Sequence, residues 1–315
     1  MRKVQTASGI RVKKRKRLTM EDLQLYSLCV IPVVLVFIFS YLPMGGIIIA
    51  FKDYKYDLGI FGSRWVGFKN FEFFFKSNEF VKLTRNTLLL NALFIAVGIV
   101  AALAVAILLF QVTSRRRTKV YQTMLITPNF ISWVVASYMA YALLNPSYGV
   151  LNNILVSLGM EKVDWYNTPM AWPGILTIAG VWKNVGMDSV IYYAALMGID
   201  STLFEAADID GANGRQKIRS IIIPELAAIL TILTIMKIGG IFRADFGMFY
   251  QLTRDVGALY DVTDVIDTYV FRTMRVIGDM GMGSAIGLLQ SCVGIVMVLA
   301  TNFAAKKIDP DLGLF

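Results

Sequence analysis

The sequence predicts an all-α membrane protein with six transmembrane helices. Of its 315 residues, 56% are hydrophobic and only 17% are charged, whereas a soluble domain averages about a quarter charged residues. Several apolar runs reach the roughly 20 residues that a helix needs to cross a bilayer. Clusters of lysine and arginine lie between some of these runs, as is typical of the cytoplasmic loops of membrane proteins.

Six apolar runs account for the predicted spans. Because main-chain polar groups in lipid must be hydrogen-bonded within the protein, each run is predicted to be helical. Pro32 and Pro43 are expected to bend the first helix or to end it early. In chain order the runs cover residues 25–51, 88–110, 120–151, 169–197, 221–241 and 280–305.

The basic clusters predict that both chain ends lie in the cytoplasm. Residues 1–24 form a basic N-terminal tail, and residues 25–315 form one transmembrane domain with its core at about 85–305. A cleaved signal peptide is the alternative for the N-terminus, but its apolar core is shorter than the uncharged run 25–51. The net charge of +9 fits cytoplasmic loops, so no nucleic-acid partner is predicted.

Two connecting segments, 52–85 and 244–279, are predicted to be external. The first is rich in aromatic residues, which settle at membrane interfaces. No metal site is predicted, because the chain has no histidine and its two cysteines, Cys29 and Cys292, lie inside apolar runs.

The longest polar stretch in the second half of the chain, 203–226, is the first candidate site. Thr202 and Glu205 have the spacing of a capping box for a short helix, and Gly211 can take the left-handed backbone that ends one. A second helical piece is expected from Arg215 to Pro224. The pattern predicts a short helix–turn–helix on the cytoplasmic membrane surface; an ordinary capped loop between two spans is the alternative.

This stretch resembles the EAA loop of type I ABC importer permeases. The motif residues in register are Glu205-Ala206-Ala207, Gly211, Ile221 and Ile223-Pro224. Asp210-Gly211-Ala212, Gln216 and Pro224-x-Leu226 resemble the carbohydrate-uptake branch, and YLPMGGIIIAFKDY and WVGFKNF resemble its LplB-type oligosaccharide and polysaccharide permeases. Ile218 departs from the family, which often has an aromatic residue there.

The resemblance implies a maltose-permease-like fold with a cytoplasmic coupling helix in a bacterial cell membrane. It implies a second homologous permease subunit, two ATP-binding subunits and an external solute-binding lipoprotein as partners, with an oligosaccharide as substrate. The chain lacks the G-x-x-x-x-G-K-[ST] loop, so ATP and Mg²⁺ are expected on the partner and no cofactor on this chain. The residues expected to contact the ATPase are Leu203, Glu205, Ala206, Ala207, Asp210, Gly211, Gln216 and Pro224.

Polar and aromatic side chains inside the spans are the second candidate site. Such groups are costly in lipid and usually face a cavity or a partner helix. Asn184 and Asp188 are four residues apart and so share one helix face. The alternative is that these groups pair with each other or with the sister subunit. The solute-path candidates are Trp182, Asn184, Asp188, Tyr192, Lys237, Gln290 and, with a weaker signal, Tyr138.

Three other functions remain open at this stage. An ABC permease for an amino acid, peptide or polyamine shares the polar stretch. A membrane enzyme could use the aspartates of segment 244–279, although their spacing fits no calcium loop. A proton-driven carrier is expected to have internal repeats, and none is found.

Overall fold

A computed structural model describes residues 20–308, which are almost entirely helical. Residues 1–19 and 309–315 lie outside the described part, and with them most of the predicted basic tail. The chain divides into two units after Ile48. The first unit contains α1 (Met20–Val36), which continues through a π-helical turn at Phe37–Tyr41 into a 3₁₀ helix at Leu42–Phe51. The chain therefore remains helical past both Pro32 and Pro43. Near Pro43 the helix type changes from α through π to 3₁₀.

The second unit holds the remaining elements. Its strands, β1 (Lys52–Asp53) and β2 (Arg64–Trp65), pair antiparallel with Lys52 opposite Trp65. Its helices are α2 (Gly59–Gly62), α3 (Lys69–Lys76), α4 (Asn78–Phe110), α5 (Arg115–Ile126), α6 (Trp133–Leu144), α7 (Val150–Ser157), α8 (Trp172–Leu196), α9 (Ser201–Ile209), α10 (Gly214–Lys217), α11 (Ile223–Gly239), α12 (Phe246–Leu252), α13 (Tyr260–Thr263), α14 (Ile266–Arg272) and α15 (Met280–Ile308).

Four helical stretches are long and apolar enough to cross a membrane. They are Tyr26–Phe51, Glu79–Phe110, Gly214–Gly239 and Met280–Lys307, and they match the first, second, fifth and sixth predicted spans. The second starts earlier than its apolar run, because α4 extends back through polar residues to Asn78. The fifth also starts early, because α10 and a π-helical turn at Ile218–Ile222 continue into α11.

The third predicted span is not one helix. α5 ends at Ile126, a 3₁₀ turn covers Thr127–Phe130, and α6 begins at Trp133. Pro128 is the physical reason, because proline has no main-chain N–H and its ring clashes with the preceding turn. The main-chain carbonyl groups freed by this break need other partners.

The helix α8 lies at the centre of the second unit. Its Gly186 lies against the backbone of α5, where an added Cβ would come within 2.0 Å of the Leu125 carbonyl oxygen. Two buried clusters also include α8. One contains Trp172 and Leu176 with Phe249 of α12, and the other contains Tyr192 and Leu196 with Ala102 and Ala106 of α4.

Candidate functional site

The predicted surface helix is present as α9. The Asp200 side chain begins it by accepting a hydrogen bond of 2.9 Å from the Thr202 N–H. The capping residue is therefore Asp200, and the predicted capping box between Thr202 and Glu205 is wrong. The Asp200 carboxylate accepts from the Thr202 main-chain N–H, which would otherwise be free at the start of the helix. The T-x-x-E spacing points to Thr202 as the cap and so did not reveal this role of Asp200.

Gly211 ends α9 as predicted. Its φ is +72°, a left-handed conformation that glycine adopts without steric cost. The Gly211 N–H donates to the Asp208 carbonyl at 3.1 Å, and the Ala212 N–H donates to the Ala207 carbonyl at 2.8 Å. These two bonds form a Schellman motif, which satisfies carbonyl groups left free at the helix end.

Phe204 anchors α9 to the transmembrane helices. Its ring lies 5.6 Å from that of Phe110, and it packs on the cluster that contains Tyr192, Leu196 and Ile222. Sequence reasoning missed this residue; the available signal was that Phe204 is the one aromatic side chain in the stretch 203–226. Because only one side of α9 is packed, Leu203, Glu205, Ala206, Asp210 and Ile209 remain exposed, the last at 87%.

The next helical piece, α10, is linked to α9 by an ion pair and has a cap of its own. Lys217 donates to the carboxylate of Asp208 in an ion pair. Asn213 and Gln216 form a reciprocal capping box at the start of α10, with bonds of 3.0 Å and 2.7 Å. The Gln216 side chain therefore has a structural partner. Pro224 lies in the first turn of α11 and is exposed.

The hydrogen bonds at the start of α9 change the pKa of Asp200. A hydrogen bond from the Thr202 main-chain N–H, assisted by the Thr202 side chain, lowers the pKa of the Asp200 carboxyl below its usual value. Because the pKa is lowered in the folded state, the stabilisation of α9 by the ionised Asp200 cap is fully present above the ordinary pKa of aspartate. It is lost as the pH falls through the lowered value.

Three of the solute-path candidates meet between α8 and α11. Lys237 Nζ donates to Asp188 Oδ2 at 2.6 Å, and both side chains are about one-third exposed. Asn184 lies one turn before Asp188 and donates to the Gly180 carbonyl at 3.1 Å. The three residues line a small cavity of about 80 Å³ together with Phe94 and Thr177. The predicted sharing of one helix face is confirmed for Asn184 and Asp188.

The break between α5 and α6 is held by the residues next to this cluster. Lys183, only 8% exposed, donates to the carbonyl groups of Asn129 at 2.8 Å and of Ile131. Asn129 donates to the Asn184 side chain at 3.1 Å. Lys183 is therefore paired with main-chain carbonyl groups of the break rather than with a carboxylate. The uncharged run 120–151 gave no sign of this contact, because the lysine lies on another helix.

The other path candidates have different surroundings. Trp182 lines an apolar cavity of about 430 Å³ with Trp133, and Tyr138 is exposed on α6. Tyr192 is 1% exposed inside an apolar cluster, so its ring presents no face to a solute in this structure. Gln290 donates to the Phe242 carbonyl at 2.7 Å and to Asp267 at 3.0 Å.

The aspartates of segment 244–279 have structural partners. Asp264 and Asp255 both accept from the Arg272 guanidinium, which raises the pKa of that already basic group despite its burial. Asp267 accepts from the Ala244 N–H at 2.9 Å. Within residues 20–308 no group of three or more side chains could hold a metal ion.

Helix α4 contacts segment 244–279 at its start and α9 at its end. At its start, Asn86 of α4 donates to the carbonyl groups of Asp261 and Asp264 at 3.0 and 3.1 Å. At its end, Phe110 contacts Phe204 of α9. With a rise of 1.5 Å per residue, about 36 Å separates these contacts, which exceeds the thickness of the bilayer hydrocarbon. The fold and these sites define a multi-pass helical membrane protein with a charged interior pair.

Comparisons with known proteins identify the class further. No protein-family model matches the sequence. Protein LplB of Bacillus subtilis (strain 168) is 33% identical over 294 residues, which cover 93% of this chain and 92% of LplB. The polygalacturonan/rhamnogalacturonan transport system permease protein YteP of the same organism is 33% identical over 302 residues, covering 95% and 94%.

A solved structure agrees with these relatives. A bacterial ABC transporter involved in the import of the acidic polysaccharide alginate contains a chain that matches with a TM-score of 0.82 and 30% identity, over 92% of this chain and 97% of that one. The chain therefore belongs to the family of sugar ABC-transporter permeases. The resemblance seen in the motifs around Glu205 and Tyr41 is confirmed.

Proposed function

We propose that this chain is one of two permease subunits of an ATP-driven importer of oligosaccharides. Its similarity to YteP, whose name specifies polygalacturonan and rhamnogalacturonan, and to a permease chain of an alginate importer supports this substrate class. The chain lines the translocation path together with a second, homologous permease subunit. All six apolar runs span the membrane, with the third interrupted at 127–132.

The helix α9 is the coupling helix in this proposal. The observation that carries it is a short, doubly capped helix that packs on the transmembrane helices through one aromatic side chain and leaves most of its other residues exposed. A rigid helix held in this way can transmit movement of an ATP-binding subunit to α4 and α11, through Phe110 and Ile222. ATP biases the equilibrium between inward- and outward-open states only through contacts that differ between them.

The partners follow from this role. Two ATP-binding subunits contact α9 and its counterpart on the second permease, and they carry ATP and Mg²⁺. An external solute-binding protein delivers the sugar; a structural neighbour was solved in complex with an alginate pentasaccharide-bound periplasmic protein. The chain itself acts as a non-catalytic transport subunit. Both chain ends lie in the cytoplasm of a bacterial cell.

Coupling can be tested by charge reversal on α9. Glu205→Lys is expected to leave membrane insertion intact and to abolish sugar-stimulated ATP hydrolysis by the assembled complex in vesicles. Gly211→Asp is expected to act in the same way, because aspartate at φ +72° strains the Schellman motif. Glu161→Lys, an exposed acid in the loop after α7, is the matched control and should keep normal stimulation. Full stimulation in both α9 variants would refute the proposal.

A further inference from the structure

Two neighbouring residues in segment 244–279 have unusual backbone conformations. Arg254 and Asp255, with φ of 55° and 51°, are the non-glycine residues with positive φ within the described part of the chain. A left-handed conformation is unfavourable for a non-glycine residue, so it persists where surrounding contacts enforce it. Such strain is common at binding sites.

The contacts of Asp255 explain how the strained pair is held. Its carboxylate accepts from Arg272 Nη2 at 3.1 Å and from the Tyr260 hydroxyl at 3.0 Å. The Arg272 guanidinium also lies 3.9 Å from the centre of the Tyr260 ring. Thr253, on the other side, is buried and donates to the Phe249 carbonyl at 2.6 Å. The backbone of Arg254 is therefore fixed from both sides.

The Arg254 side chain, in contrast, has no anionic partner. Its guanidinium lies 4.1 Å from the centre of the Tyr141 ring, on the ring face, and is exposed. Within residues 20–308 it makes neither a hydrogen bond nor an ion pair, whereas Arg272 binds two carboxylates. An arginine has five N–H donors in a planar fork that matches a carboxylate.

The Tyr141 ring under this guanidinium contacts a second tyrosine, and a lysine binds the residue before that tyrosine. The Tyr148 ring is 64% exposed and stands at 86° to the Tyr141 ring, with 6.4 Å between the ring centres. Lys162 donates to the carbonyl of Ser147, next to Tyr148, at 3.1 Å and pairs with no carboxylate in the described range. We refer to Tyr141, Tyr148, Lys162 and Arg254, which these contacts connect, as the Tyr148 notch.

Along the sequence, residues of the Tyr148 notch lie close to residues that line the apolar cavity of about 430 Å³. Leu144 and Leu151, which line that cavity, follow Tyr141 and Tyr148 by three residues each, and Leu252 precedes Arg254 by two. The cavity also contains Trp182, one of the solute-path candidates.

We propose that the Tyr148 notch binds the carboxylate of a uronic acid residue in an incoming oligosaccharide. The exposed face of Tyr148 packs against a sugar ring, and the Arg254 fork pairs with the carboxylate, with Lys162 adding positive charge. This inference rests on the proposed oligosaccharide import and narrows the substrate to acidic sugars. A single notch suits one sugar unit, whereas a stable protein interface buries about 800 Å² on each partner.

Direct binding to the assembled complex in nanodiscs tests the notch. The probes are tetragalacturonate and the neutral maltotetraose, measured against the native complex and the Arg254→Gln and Arg275→Gln variants. Arg275 is an exposed arginine on the same segment and serves as the matched control. Tetragalacturonate is expected to bind the native complex at least about tenfold more tightly than it binds the Arg254→Gln complex. The Arg275→Gln complex should retain the native affinity.

Three results would overturn the inference. The first is that tetragalacturonate does not bind the native complex. The second is that it binds the Arg254→Gln and Arg275→Gln complexes with equal affinity. The third is that Arg254→Gln weakens only the binding of the solute-binding protein. The last result would assign Arg254 to protein docking. Failure of the proposed function is a separate outcome, because it would appear as no sugar-dependent ATP hydrolysis by the native complex with any oligosaccharide.

Discussion

At the scale of single residues, two glycines are required for opposite reasons. Gly211 supplies a left-handed backbone at the end of α9, where an added Cβ would meet nothing within 4 Å. Gly186 has an ordinary backbone, but α5 leaves no room for a side chain: the Leu125 carbonyl oxygen is 2.0 Å from the position of a Cβ. The first glycine sets a conformation and the second permits a close approach of two helices.

Gly186→Ala is therefore expected to destabilise the protein. The new methyl group has to push backbone rather than a mobile side chain, which costs about 2 kcal/mol or more. Gly174→Ala, on the same helix with open space around it, is the control and should be neutral or slightly stabilising. Thermal unfolding of both variants in detergent checks this. Equal midpoints would show that α5 and α8 do not pack as described.

At the scale of helices, charged groups link neighbouring elements across the membrane region. Lys183 of α8 donates to carbonyl groups of the break after α5, and Lys237 of α11 pairs with Asp188 of α8. An unpaired charge in an apolar environment is costly, so each lysine fixes the packing of two helices. These contacts explain how helices with polar residues at mid-length remain stable.

The Asp188–Lys237 pair can be tested by a double-mutant cycle. Asp188→Asn or Lys237→Met alone is expected to lower the stability of the complex by about 1–3 kcal/mol, because the remaining charge loses its partner. The double substitution should cost less than the sum of the two single ones. Unfolding of the purified complex in denaturant measures the cycle; strictly additive effects would show that the two side chains do not interact.

Local signals predicted part of this fold, and contacts between distant residues account for the rest. Uninterrupted apolar composition was sufficient to predict four spans, and one glycine was sufficient to predict the end of α9. The break at 127–132 was missed, because its carbonyl groups are satisfied by Lys183, more than 50 positions away. The burial of Tyr192 was missed because its packing partners on α4 and next to α11 are also distant in sequence. Aromatic character alone does not distinguish a packed ring from one that contacts a solute.

At the scale of the whole molecule, α4 connects two functional regions. Its first turns hold segment 244–279, which carries the Tyr148 notch residue Arg254, and its last turn contacts α9. The separation of about 36 Å along α4 exceeds the thickness of the bilayer hydrocarbon, so a membrane-spanning α4 would carry these regions to opposite membrane surfaces. In the function that we propose, α4, α8 and α11 link sugar recognition at one surface to ATP-driven movement at the other.

The proposed function requires that α9 contacts an ATP-binding subunit. Cross-linking tests it directly in a chain whose Cys29 and Cys292 are replaced by serine. A cysteine at Ile209, which is 87% exposed, is expected to cross-link to the ATP-binding subunit in membrane vesicles, with a yield that changes when ATP is added. A cysteine at Phe61, which is 93% exposed in segment 52–85, should give no such product. A product from position 61 but none from position 209 would contradict the account.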